Sequence, residues 1–448
     1  MANEYKPFFI HLGKLRSDYM YRQALKKLQN WQKSPNRKPL IICGARQVGK
    51  TWLMREFGRQ EYKNTAYFNF DNNRLLKELF SGDFDIKRLI KGLEVLCGKT
   101  IVPDTTLVIF DEVQEVPQAL SSLKYFYENA PQYHIICAGS LLGLALHTGT
   151  SFPVGKVDFL NLEPLSFSEF MLATGNTKLV KLLQDGDFTL ANTFASTYES
   201  LLKQYFFVGG MPEVVDVYCQ QKNFTEVRNL QKNILIAYEQ DFSKHVPLQD
   251  VPRLRGLWHS IPGQLAKENK KFIYGLVREG ARAKDYEIAL LWLKDCGLVH
   301  RIERVTKPNL PLSAYEDTKA FKLYLLDVGL LGCSSELNAK ILLDGNEIFV
   351  EFKGALTEQY VLQQLKTIAD LPIYYWTNDR GSAEIDFLLD LHGQAVPLEV
   401  KAATNLQAKS LKVFAEKFNS QQIMRTAMVP YKQDGKLLNV PLWAIEYI

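Results

Sequence analysis

A short apolar run, Leu40-Ile41-Ile42-Cys43, opens directly into Gly44-Ala45-Arg46-Gln47-Val48-Gly49-Lys50-Thr51, and this junction constrains the chain more than any other feature. Glycines at both ends of the loop let the backbone fold back so that successive N–H groups converge on an anion. A helix beginning there adds the positive end of its dipole. The pattern G-x-x-x-x-G-K-[ST] is therefore a phosphate cradle. Gly44, Ala45, Arg46, Gln47, Val48 and Gly49 form the loop, Lys50 reaches the outer phosphates, and the Thr51 hydroxyl is a ligand for Mg²⁺. The nucleotide expected in it is ATP. Such a loop needs a strand before it and a helix after it, and the helix is read from Thr51 to Phe57.

The flanking sequence supplies the rest of that architecture. Apolar strands are read at Leu40–Cys43, Thr65–Phe70, Leu107–Phe110, His134–Ala138 and Val157–Leu162, with helical stretches between them. Continuous apolar strands alternating with helices predict an α/β fold with a parallel sheet covered on both faces. The strand Leu107–Phe110 runs into Asp111-Glu112. Asp111 is expected to help hold Mg²⁺ and Glu112 to polarise the attacking water as general base. Without the phosphate loop upstream, a solvated acidic turn would explain the pair equally well. Ser140, after His134–Ala138, reads either as a sensor between nucleotide and water or as a simple helix N-cap.

Bulk properties narrow the setting. The 448 residues suggest several domains, and the 46% hydrophobic and 23% charged composition is that of a globular chain with sizeable cores. No apolar run reaches the roughly 18 residues needed to span a bilayer. The first residues lack an apolar core with a cleavage site, so no membrane partner is expected and a cytoplasmic protein follows. Six cysteines without a C-x-x-C pair read as buried, reduced core thiols. A net charge of +5 permits nucleic-acid binding by a local patch without arguing for it.

Beyond the first domain the pattern is helical from Thr174 to Tyr238. A helix from Lys284 to Asp295 then stops at Gly297, and Leu298 to Val305 alternates as a strand. Helices followed by a β-ribbon suggest a winged helix. Lys267, Lys270, Lys271, Arg278, Arg282 and Lys284, with Phe272 and Tyr274 between them, would suit phosphate contacts, although such a run is often only a solvated face. Near the C-terminus, Glu384 to Asp390 and Ala395 to Lys401 flank His392-Gly393-Gln394 as a β-hairpin. Period-two alternation places Ile385, Phe387 and Leu389 on one face and gathers Asp386, Glu399 and Lys401 on the other. Glu358 lies on a predicted helix upstream, Gly354 to Leu365.

The phosphate loop, the Ile109-Phe110-Asp111-Glu112-Val113-Gln114 run, Ala138-Gly139-Ser140, Glu163 to Phe170 and Gly209-Gly210-Met211-Pro212-Glu213 together resemble a prokaryotic group of AAA+-superfamily ATPases. Those proteins carry a C-terminal domain long described as of unknown function. Where that group often has a Gly-Arg pair before the Pro-Leu-Ser-Phe run, this chain has Gly155-Lys156, which leaves any arginine finger unassigned. The hairpin resembles the PD-(D/E)XK nuclease pattern without its proline. That resemblance implies Asp386 and Glu399 as metal ligands, Lys401 as the residue that orients water, and Glu358 as a further catalytic carboxylate.

The resulting expectation is a P-loop NTPase core over residues 1–173, a helical and winged-helix segment over 174–340, and a restriction-endonuclease-like α/β domain over 341–448. ATP hydrolysis would be coupled to a DNA-facing half with a nuclease-like fold, and whether that half cleaves nucleic acid is left open. The alternatives are a nucleotide switch that only binds DNA or a protein partner, and a P-loop kinase. The Asp111-Glu112 pair argues against the kinase. Homo-oligomerisation is left open.

Overall fold

The computed structural model describes residues 20–139, 153–267, 270–338, 350–378, 382–402 and 409–448. The apolar runs form β1 (Leu40–Cys43), β2 (Asn64–Asn69), β3 (Thr106–Asp111), β4 (His134–Ala138) and β5 (Asp158–Asn161). They make one wholly parallel sheet in the order β2-β3-β4-β1-β5. Alternate residues of each strand serve the two faces. Leu107, Ile109 and Ile136 pack beneath α1 (Ala24–Lys33) and α2 (Lys50–Glu61). Val108, Phe110 and Ile135 pack beneath α3 (Arg74–Ser81), α4 (Ile86–Cys97) and α5 (Pro117–Asn129). Double-sided burial explains why these strands read as unbroken apolar runs. Because the sheet is parallel, β1, β4 and β3 end at one edge, which brings the phosphate loop and the Asp111-Glu112 pair together.

Helices α6 (Phe167–Ala173), α7 (Thr177–Gln184), α8 (Phe188–Thr193), α9 (Ala195–Val208), α10 (Pro212–Gln221) and α11 (Phe224–His245) follow. Next come α12 (Val251–Leu265), α13 (Ala283–Asp295) and the antiparallel pair β6 (Val299–Val305) and β7 (Glu316–Leu325). Gly297, with φ of 71°, follows the end of α13 in the left-handed conformation that favours glycine. No helix among the described residues is long and apolar enough to cross a membrane. All six cysteines are free thiols, but only Cys137, Cys296 and Cys333 are buried; Cys43, Cys97 and Cys219 are half-buried, so the expectation of six buried core thiols holds for three.

The chain continues through α14 (Val328–Ser334), α15 (Val350–Leu365), β8 (Ile373–Thr377), β9 (Glu384–Leu391), β10 (Gln394–Val400), α16 (Lys409–Phe418), β11 (Ile423–Ala427), β12 (Lys432–Asp434) and β13 (Leu437–Pro441). These strands join the β6–β7 pair in one eight-stranded mixed sheet, ordered β12-β13-β11-β10-β9-β8-β6-β7. A single sheet therefore runs through what the sequence divides between a middle segment and a C-terminal domain. His392 and Gly393, at φ of 52° and 75°, make the tight turn between β9 and β10.

One sequence expectation fails here. The β8–β9 register slips between Tyr374 and Trp376, so that Asp386 and Phe387 together oppose Tyr375. This β-bulge interrupts the alternation. Ile385 packs with Leu388, Trp376 and Phe414, whereas Phe387 and Leu389 enter the main core. The apolar stripe assigned to Ile385, Phe387 and Leu389 is thus broken beside Asp386.

Helix α15 joins the parts. Gln359 donates to the Leu325 carbonyl at 2.6 Å and accepts from the Leu325 N–H at 2.9 Å. Gln363 accepts from the Val328 N–H at 2.9 Å, and Gln364 accepts from the Phe167 N–H at 2.7 Å. All three glutamines are buried. Gln359→Leu, which keeps the bulk but leaves both Leu325 backbone groups unsatisfied, is expected to destabilise the protein by about 2–4 kcal/mol. The check is a lowered urea midpoint with an unchanged denaturant slope.

Candidate functional site

The phosphate loop has the expected setting. β1 ends at Cys43, Gly44 takes φ of 143°, Gly49 takes φ of 93°, and α2 begins at Lys50. A side chain at Gly44 would overlap the Leu162 carbonyl, so close backbone approach as well as conformation requires glycine there. The Lys50 ammonium donates to the carbonyls of Gly44 and Ala45, at 2.8 and 2.7 Å. Burial pulls its pKa down to about 8, against the charges of Glu112 and Asp111 that hold it up. A loop whose lysine is turned onto its own carbonyls can exchange those contacts for phosphate oxygens.

Asp111 is buried at the end of β3. Its Oδ2 accepts from the Thr51 hydroxyl at 2.7 Å and from the Tyr67 hydroxyl at 2.8 Å. Thr51 and Asp111 thus present hard oxygen donors side by side, the set that suits Mg²⁺. Glu112 follows in the left-handed conformation, at φ of 51°, which turns it away from the strand direction. Its Oε2 accepts from the Gln114 amide at 2.7 Å. The pair therefore splits by position, with Asp111 inward and Glu112 half-buried beside it. Ser140 lies outside the described residues. Lys156 pairs with Glu128 at 3.0 Å and lies near the Tyr127 ring.

Three contacts that the sequence did not reveal hold the loop from behind. Arg22, buried, donates to the Val48 carbonyl at 2.9 Å and the Glu163 carbonyl at 2.6 Å, and pairs with Glu169 at 3.3 Å. From α11, Asp241 pairs with Arg46 and the Tyr238 hydroxyl donates to the Arg46 carbonyl at 2.8 Å. At the end of α13, a Cβ on Gly297 would stand 3.0 Å from the Ala45 nitrogen. A cavity of about 260 Å³ adjoins this contact, walled by Gly44 and Ala45 on one side and by Lys294 and His300 on the other. The middle segment is therefore seated on the phosphate loop itself.

The second candidate site lies at the C-terminal hairpin. Glu358, Glu384, Asp386, Glu399 and Lys401 line one cavity of about 430 Å³. Glu399 pairs with Lys401 at 2.6 Å, while its Oε2 has no hydrogen-bond partner among the described residues. Asp386 accepts from the Val400 N–H at 2.8 Å. Two lysines from the middle segment enter the same cluster. Lys270 pairs with Glu358. Lys322, from β7, has no exposed side-chain surface and pairs with Glu384, lying 3.6 Å from Glu358 Oε2 and 4.0 Å from Asp386 Oδ1. The Tyr324 hydroxyl adds a 3.1 Å hydrogen bond to Glu358. Burial, and then the charge of Glu358, push Asp386 upward. Burial would raise Glu358 too, but Lys270 and Lys322 hold it low. The sequence signal for Lys322 was a lone lysine inside the otherwise apolar run Ala320-Phe321-Lys322-Leu323-Tyr324-Leu325.

The basic run of the middle segment divides. Lys267, Lys271, Arg278, Arg282 and Lys284 are exposed, whereas Lys270 is drawn into the acidic cluster. Phe272 is buried and stacks on Phe321, with ring centroids 5.4 Å apart, and Tyr274 packs against the same ring. Phe272 thus serves the core, and Tyr274 is half-buried against it.

Comparison with known families divides the chain in three. Residues 36–171 match the family model of an AAA domain. Residues 199–340 match a domain of unknown function (DUF8612), and residues 353–444 match another (DUF4143). No curated protein matches the chain. Among solved structures, a Walker-type ATPase of Pyrococcus abyssi is 17% identical with a TM-score of 0.46, over 71% of this chain and 97% of that one. The Orc1 protein of Aeropyrum pernix, solved in complex with DNA, is 13% identical with a TM-score of 0.28, over 70% and 91%. Domain III of the replication initiation protein DnaA from Thermotoga maritima is 15% identical with a TM-score of 0.26, over 52% and 92%. Likeness at this level carries no functional argument. The AAA match and the strand order agree that residues 36–171 form an AAA-type P-loop domain.

The Gly297 contact predicts coupling. Gly297→Ala forces a Cβ against the backbone of Ala45 and is expected to weaken ATP binding about tenfold, the scale of left-handed strain passed to the loop. Gly280, at φ of 74° with open space around it, is the control. Gly280→Ala carries similar local strain and should leave ATP affinity unchanged, as read by fluorescence titration of a labelled nucleotide.

Proposed function

We propose that the chain binds and hydrolyses ATP and passes its nucleotide state to a DNA-facing C-terminal half. The observation that carries this reading is the convergence of Thr51 and Tyr67 on buried Asp111, next to a phosphate loop whose Lys50 is turned inward. Lys50 and the loop N–H groups bind the phosphates. Thr51 and Asp111 would hold Mg²⁺, which would offset charge on the phosphate oxygens. Glu112, held by Gln114, accepts the proton of the attacking water. A sensor role for Ser140 is supported by β4 lying between β1 and β3 in the sheet.

Transmission to the rest of the chain is supported by the Arg46–Asp241 pair and by the Gly297 contact, which link the loop to α11 and α13. The arrangement of α12, α13 and the β6–β7 hairpin is consistent with a winged helix, and Lys267, Lys271, Arg278, Arg282 and Lys284 supply exposed cations for a phosphate backbone. A second reading has its own observation. The outward face of α13 bears Ile288 and Leu291, 65% and 45% exposed, beside Glu287. An apolar, partly acidic face suits a protein partner better than a DNA groove.

Phosphate release by the full chain, with and without duplex DNA, tests the proposal. Lys50→Ala is expected to lose most ATP affinity while remaining folded, because bound phosphates lose their cation. Glu112→Gln should bind ATP normally and hydrolyse it about a hundredfold more slowly. Hydrolysis at the wild-type rate by Glu112→Gln assigns the base elsewhere, and unchanged ATP affinity in Lys50→Ala removes the nucleotide site.

A further inference from the structure

The hairpin pattern implies a divalent ion at Asp386 and Glu399, and the side chains present do not fit one. A metal-dependent nuclease needs carboxylates that converge on an open position and leave room for water. Here most of the carboxylates are already engaged, and Glu399 Oε2 is left without a hydrogen-bond partner among the described residues. Lys322 meets Glu384, Glu358 and Asp386 at once, Lys270 meets Glu358, and Lys401 meets Glu399. Asp386 is further committed to the Val400 N–H, and Tyr324 to Glu358. Among the described residues no group of three or more His, Cys, Asp and Glu side chains is arranged to hold a metal ion.

We infer that Lys322 is a resident cation of the C-terminal acidic site, neutralising from within the protein the carboxylates that a divalent ion would bind but unable to activate water as that ion would, so that this site makes contacts and does not cleave. The side chain has no exposed surface and is anchored in β7, between Phe321 and Leu323, which face the core. It cannot swing into solvent and vacate its place as a surface lysine would. A divalent ion beside Asp386 would stand within a few ångströms of a buried ammonium, and the low-dielectric surroundings leave that repulsion unscreened. Removing the ammonium leaves buried carboxylates that repel one another until a cation enters. The lysine also explains why the acidic cluster belongs to the β6–β7 pair as much as to the hairpin. The site is complete only when both lie in the same sheet.

This inference deepens the DNA-facing reading of the C-terminal half and rests on it for its output, while its test does not depend on ATP hydrolysis. The full chain is titrated with Mn²⁺ in the absence of nucleotide, following free Mn²⁺ by electron paramagnetic resonance. Wild type and Asp386→Asn should behave identically, since no ion sits at Asp386. Lys322→Met, which keeps the length of the side chain without its charge, should gain an Mn²⁺ site that Asp386→Asn in the same background removes. Mn²⁺ uptake by the wild type that Asp386→Asn abolishes overturns the inference, as does a folded Lys322→Met chain that gains no site. If Lys322→Met does not fold, the comparison of wild type with Asp386→Asn decides the matter alone. Phosphate release, measured on the same samples, reports separately on the ATPase reading.

Discussion

The polar side chains buried on α15 impose the constraint on which the assembly of this chain depends. Glu358, Gln359, Gln363 and Gln364 are all withdrawn from water. Buried polar groups must find partners; buried Thr357 finds its own on the helix, at the Lys353 carbonyl, but none of the partners found for these four side chains lies on α15. Gln359 and Gln363 take the backbone around β7 and α14, Gln364 takes the start of α6, and Glu358 takes Lys270 and Lys322. Gln363 also donates to Asp327 and Tyr205, at 3.0 and 2.9 Å. Asp327 in turn accepts from the Gly210 N–H at 2.6 Å, and the Gly210 carbonyl accepts from the Leu165 N–H at 2.7 Å. One helix thus fixes the P-loop domain, the helical segment and the second sheet relative to one another.

This connectivity gives the nucleotide site a mechanical context. The loop that cradles phosphate is braced by α11, by the turn after α13 and by Arg22. A change in loop conformation on binding phosphate cannot stay local, because close-packed interiors transmit displacement. Gly297, which touches Ala45, sits between the end of α13 and β6, the first strand of the hairpin that carries Lys322. The same hairpin pairs with β8, whose neighbour β9 bears Asp386. The two candidate sites therefore sit at opposite ends of one continuous set of packed elements.

The acidic site also shows why residue type and spacing are weak evidence for chemistry when taken without depth. Asp386, Glu399 and Lys401 have the spacing of a nuclease, and Glu358 lies on the expected helix. Those facts hold whether a metal or an ammonium neutralises Asp386 and Glu358. The charge that decides it arrives from a strand about sixty residues earlier in the chain.

What the sequence determined by itself is local. The phosphate loop, its strand and helix, the ends of β3 and β4, the stop of α13 at Gly297 and the His392-Gly393 turn all follow from backbone conformations and apolar runs that neighbouring residues dictate. The six thiols could likewise be read as reduced from their spacing. What the tertiary structure alone decided is the set of long-range partners. The bulge that separates Ile385 from Phe387 depends on the register with β8, and register is a property of two strands. Phe272 belongs to the core because Phe321 stacks on it. Lys270 leaves the basic face because Glu358 draws it inward. Lys322 is a site residue only because β7 and β9 share a sheet. Periodicity records which residues are buried. It does not record which buried charges meet, because that is fixed by contacts between segments far apart in the chain.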